Sequence, residues 1–116
     1  MDEPASELAR EDCVACRPGS PKVTAEEAAG LLADLPDWTI ASVAGIDRLT
    51  CRFAFPSFAK ALAFANRVGE LADAADHHPE ITIEWGAATV SWWTHTIGGL
   101  HRNDFIMAAR TTQAGR

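Results

Sequence analysis

Apolar and polar positions change period several times along the 116-residue chain, and each change marks an element. At "TAEE", Thr24 reads as an N-cap with Glu27 three residues on, a capping box. Ala28, Leu31, Leu32 and Leu35 follow at helical spacing, and Pro36 stops the run. The period then falls to two. Residues 38–43 and 47–55 read as a hairpin in which Leu49, Cys51, Phe53 and Phe55 form the buried row against Arg48, Thr50 and Arg52. Ser57, after Pro56, offers an N-cap for a long amphipathic helix whose stripe is Phe58, Ala61, Leu62, Ala65, Val68, Gly69 and Ala72. A second hairpin spans residues 81–85 and 87–95 around Gly86, with Ala88, Val90 and Trp92 alternating against Thr89, Ser91, Trp93 and His95. Beyond Gly98-Gly99, Asn103 reads as the cap of a closing helix with Asp104 in its first turn and Phe105, Ile106 and Ala109 on its apolar side. Hairpins arriving between helices predict an α+β two-layer fold: a four-stranded antiparallel sheet with three helices packed on one face.

Residues 1–23 carry no sustained apolar period, and "RPGSPK" is broken by two prolines and a glycine. They read as a flexible N-terminal arm ahead of one domain over residues 24–116. Within the arm, Cys13 and Cys16 form a C-x-x-C pair. A redox role needs a strand-to-helix context and a zinc role needs two more ligands in register, and neither is visible. The pair reads as solvated thiols without a catalytic role, and Cys51 as core packing. Three cysteines in a chain whose first residues are acidic, where a secretory signal is basic and then apolar, point to reduced thiols and the cytoplasm. The net charge of -6 argues against direct nucleic-acid binding, and no apolar run is long enough for a membrane span.

The chemistry gathers at Asp76-His77-His78-Pro79. Proline pushes His78 out of the helical region, so the helix is expected to end near His77 and the two imidazoles to diverge. His77 then sits four residues beyond Asp73, the spacing at which a carboxylate meets an imidazole on one helix face. His95 closes the last strand on the face of Trp93, Ser91 and Thr89, opposite the apolar row. Three histidines, a carboxylate and nearby tryptophans are thus expected to line one shallow site. The residues alone leave other readings open: a histidine at a helix end that merely meets the last carbonyls, or a metal site, for which no helical H-x-x-x-H pair is present. His101 reads as a surface residue.

The spacing Asp73, three residues, His77-His78-Pro79, five residues, Trp85, nine residues, His95, eight residues, Asp104 resembles the signature of the pterin-4a-carbinolamine dehydratases. The similarity runs from about residue 24 to 114 and takes in "LPDW" and "FAFPSFAKALAFANRV". It implies dehydration of 4a-hydroxytetrahydropterins to quinonoid dihydropterins, recycling the pterin of aromatic amino acid hydroxylases without metal or organic cofactor. It implies His77, His78 and His95 as active-site residues, Asp73 as their support, and Trp38, Asp76, Trp85, Trp93 and Thr94 around the pterin. Two positions depart from the family: Ile81 stands where several members have an aromatic, and Trp93 where many have a small hydroxyl residue. The expected assignment is His77 as base, helped by Asp73, His95 as acid, and His78 orienting the pterin. The resemblance also implies a homodimer or homotetramer. The alternative is a non-catalytic dimerisation, assembly or transcription-cofactor module, because some members of this fold family partner a transcription activator and others assist assembly.

Overall fold

The computed structural model describes residues 4–14 and 19–115. Strands β1 (Thr39–Val43), β2 (Ile46–Ala54), β3 (Glu80–Glu84) and β4 (Ala87–Trp92) form one antiparallel sheet in the order β1-β2-β4-β3. With it go helices α1 (Pro4–Ala9), α2 (Ala25–Leu32), α3 (Phe58–Ala75) and α4 (Arg102–Ala114), and a short 3-10 turn at His95–Ile97. The α+β class, the antiparallel sheet and the three expected helices are all present. Among the described residues no helix is long and apolar enough to cross a membrane.

The sheet register explains the two layers. Leu49 pairs with Trp92, Cys51 with Val90 and Phe53 with Ala88, so one row of apolar side chains faces α3 and α4. Leu49, Val90 and Trp92 are fully buried there with Phe64, Val68 and Phe105. Two indoles tie the layers together by hydrogen bonds: Trp92 Nε1 donates to Thr111 Oγ1 at 3.1 Å and Trp38 Nε1 to Thr112 Oγ1 at 2.8 Å. Burial raises the Cys51 thiol to a pKa of about 11, with a smaller contribution from the charge of Asp37, as its place in the apolar row requires.

Three local features differ from the sequence expectations, each for a physical reason. The segment expected to run as a flexible arm contains α1, whose last two residues, Leu8 and Ala9, are buried against α4. Two adjacent apolar residues are too few to show a period in the sequence. Cys16 lies outside the described residues.

Helix α3 stops at Ala75, two residues earlier than expected, because Asp76 takes a left-handed conformation (φ 51°, ψ 43°). The His77 N–H then reaches Ala72 O at 3.1 Å, closing the turn as a Schellman motif. Pro79 follows this stop and does not cause it. Helix α4 is capped by His101 and not by Asn103: His101 Nδ1 accepts from the Asn103 N–H at 3.1 Å, while Asp104 Oδ2 accepts from the His101 N–H at 2.9 Å. His101 is accordingly half-buried and structural.

Leu49→Ala is expected to lower the unfolding free energy by about 2–5 kcal/mol, the range for emptying a packed leucine site. Urea unfolding measures this, and a loss under about 1 kcal/mol would contradict the register that buries Leu49.

Candidate active site

The early stop of α3 decides where the histidine pair goes. With Asp76 turning the chain, His77 leaves the helix and cannot meet Asp73 across one turn. Its Nε2 instead lies 2.6 Å from Asp104 Oδ1, across from the first turn of α4, and its ring stacks on Trp92 with centroids 5.6 Å apart and planes within 12°. The carboxylate expected to support His77, Asp73, bonds His78 Nε2 at 2.9 Å.

These two pairs differ in environment. Asp104 is fully buried and the His77 side chain is 13% exposed, whereas Asp73 and His78 are 83% and 56% exposed. The second Asp104 oxygen accepts from Thr94 Oγ1 at 2.8 Å and from the His101 N–H at 2.9 Å, so both carboxylate oxygens are engaged. A buried, fully bonded carboxylate holds an imidazole in one orientation. An exposed pair is screened by water and holds it weakly.

His95 arrives by a third route. Strand β4 ends at Trp92, and the expected continuation to His95 is interrupted by a bridge between Thr94 and Gly99. The Thr94 N–H donates to Gly99 O at 2.8 Å, and Gly98, with φ of 60°, closes the loop. His95 therefore opens a 3-10 turn, yet it keeps the expected side: its ring lies 4.5 Å from that of Trp93. Arg48 also meets this indole, its Cζ 4.0 Å from the ring centroid, and its Nη1 lies 3.6 Å from Glu80. Trp93 thus has two ring-scale neighbours, the Arg48 cation and the tilted ring of the catalytic candidate His95.

A cavity of about 520 Å³ joins the set: His77, His78 and His95 line it, with Asp76 and Thr94. Trp93 supports it through His95. Trp38 and Trp85, expected near the ligand, stand elsewhere in the chain. Trp38 is buried between sheet and α4, against Phe53 at 5.9 Å, and Trp85 is 77% exposed at the β3–β4 turn, the end of the hairpin away from the histidines. Among the described residues no group of three or more His, Cys, Asp or Glu side chains could hold a metal ion. Sequence reasoning met Asp104 as a helix first-turn residue and as the last element of the motif, and missed its contact with His77. Its spacing in the motif was the available signal.

The contrast between the two carboxylates is measurable. Asp104→Ala leaves the Thr94 hydroxyl and the His101 N–H without their acceptor, at about 1–3 kcal/mol for each buried group. Asp73→Ala, at an exposed pair, is expected to cost less than about 1 kcal/mol. Chemical denaturation of the two variants should therefore separate clearly, and equal losses would refute the assignment of Asp104 as the anchor.

Comparisons with known proteins show the family. The family model described as pterin 4 alpha carbinolamine dehydratase matches residues 21–114. A protein of Chlorobium limicola is 54% identical over 106 residues, covering 91% of this chain and 94% of that protein. One of Microcystis aeruginosa is 52% identical, covering 91% of each. Both carry the provisional name pterin-4-alpha-carbinolamine dehydratase. Among solved structures, a transcriptional coactivator/pterin dehydratase from Brucella Melitensis superposes with a TM-score of 0.75 at 27% identity, over 83% of this chain and all of that one. A pterin dehydratase-like protein identified as a RuBisCO assembly factor in the alpha-carboxysome shares the fold, with a TM-score of 0.58 at 24% identity, over 68% of this chain and 89% of that one. By sequence over most of its length, the chain belongs to the pterin 4 alpha carbinolamine dehydratase family.

Proposed function

We propose that this protein dehydrates a 4a-hydroxytetrahydropterin to the quinonoid dihydropterin and water, by histidine general acid–base catalysis. The observation that carries the proposal is the buried Asp104–His77 pair at 2.6 Å, opening on a cavity that His78 and His95 also line. The names of relatives that are about half identical supply the substrate class.

The reaction is redox-neutral. The C4a–O bond breaks, the hydroxyl leaves as water with one added proton, N5 loses its proton, and the C4a–N5 double bond forms. One group must give a proton and another must take one. His77 is assigned as the base: Asp104 occupies its Nε2, leaves Nδ1 for the N5 proton, and stabilises the imidazolium that results. His95 is assigned as the acid at the leaving hydroxyl, its ring set by Trp93. His78, on an exposed and adaptable pair with Asp73, orients the pterin. The substrate presupposes an upstream reaction that leaves a hydroxyl on C4a, as pterin-dependent hydroxylation of aromatic amino acids does.

His77→Ala and His95→Ala are each expected to lower kcat by about 10²–10⁴-fold, the usual yield of one positioned proton transfer. His78→Ala should act mainly on KM. Ultraviolet absorbance following the disappearance of 4a-hydroxytetrahydropterin reads all three. No acceleration by the wild-type protein over spontaneous dehydration would reject the enzyme reading, and unchanged turnover by His95→Ala would reject the scheme. The pH profile assigns direction: loss of the base removes the fall in rate on the acid side, and loss of the acid removes the fall on the alkaline side.

A further inference from the structure

The family match begins at residue 21, yet the chain before it reaches the histidine cavity. Cys13 and Val14 line that cavity with His77, His78 and His95. Helix α4 holds this strap at successive points. Arg110 donates from Nε to Ala9 O at 2.9 Å and from Nη2 to Glu11 O at 2.6 Å. Arg102 forms a bidentate pair with the Glu11 carboxylate, at 2.8 and 2.6 Å, which holds that carboxyl below its ordinary range. Asn103 then bonds both backbone groups of Val14: its Nδ2 donates to Val14 O at 2.6 Å and its Oδ1 accepts from the Val14 N–H at 3.0 Å.

The Asn103 contact decides the register. A planar amide offers one donor and one acceptor side by side, and so pairs with a backbone as a neighbouring strand would. Asn103 is only 3% exposed, so its polar atoms depend on such partners. It also sits one residue before Asp104, and the same first turn of α4 thereby carries both the strap and the anchor of His77.

We propose that Asn103 is a positioning residue that fixes the Cys13–Val14 strap as one wall of the substrate cavity, so that the strap sets affinity for the pterin while the histidines perform the chemistry. This inference rests on the pterin reading above. It assigns a binding role to a segment outside the family match.

The test uses the full-length reduced protein. Asn103→Ala removes both bonds to Val14, and KM for the 4a-hydroxytetrahydropterin is expected to rise about three- to tenfold, the scale of one or two net hydrogen bonds, with kcat within about twofold. A KM within twofold of wild type would overturn the proposal, as would a fall in kcat with no change in KM. A second measurement does not depend on that variant folding. In wild-type protein, iodoacetamide labelling of Cys13, located by peptide mapping, should slow severalfold when 7,8-dihydrobiopterin, a pterin lacking the 4a-hydroxyl, is added. Cys51, buried and with its thiol pKa raised to about 11, serves as the unreactive control. Protection without any dehydratase turnover would uphold the strap and reject the activity. Turnover with no protection of Cys13 would uphold the activity and reject the strap.

Discussion

One buried carboxylate organises the working end of this fold. Asp104 has no exposed surface, and removing a charge from water costs several kcal/mol unless its lone pairs are satisfied. Three segments meet that demand: the Thr94 hydroxyl after β4, the His101 N–H at the head of α4, and the His77 ring after α3. Any one of these segments displaced would leave the carboxylate underbonded. The requirement therefore fixes the start of α4, the exit of β4 and the exit of α3 relative to one another.

The three histidines are held by three unlike means. His77 has a buried carboxylate on one ring nitrogen and the Trp92 indole against its face, which leaves it little freedom. His95 lies against Trp93 in a tilted ring contact, and Trp93 also carries a cation–π contact with Arg48. His78 is held by an exposed pair with Asp73. A general base benefits from fixed orientation, and a substrate contact tolerates adjustment. The division of labour assigned to the three follows this gradient in rigidity.

Much of the fold was legible because it is written in local periods. The row Leu49, Cys51, Phe53 and the positions Ala61, Ala65, Val68 and Ala72 of the α3 stripe are buried or half-buried as periods of two and 3.6 predict, whereas Phe58 and Leu62 on the same stripe are exposed and Phe64, off it, is fully buried. Ser57 and Thr24 cap α3 and α2 as their positions suggested. Helix α1 was not legible, since Leu8 and Ala9 make no pattern until α4 is present to cover them.

For the site, the residues came from the sequence and the partners came from the fold. The motif named His77, His78, His95 and Asp104 by spacing, and all three histidines line one cavity. Pairing His77 with Asp73 followed from assuming that the helix continued. A single left-handed residue, Asp76, moves His77 off α3 and hands it to Asp104, 27 positions away, while His78 turns back to Asp73. Trp38 and Trp85 show the same limit: the fold carries Trp38, just before β1, into the core and Trp85, between β3 and β4, to the exposed far turn. Sequence alone determined which groups capable of proton transfer this chain owns and which faces its elements bury, because both follow from local composition and period. Which carboxylate meets which imidazole, and that the N-terminal strap walls their cavity, depended on contacts between distant segments, and those exist only once the chain has folded.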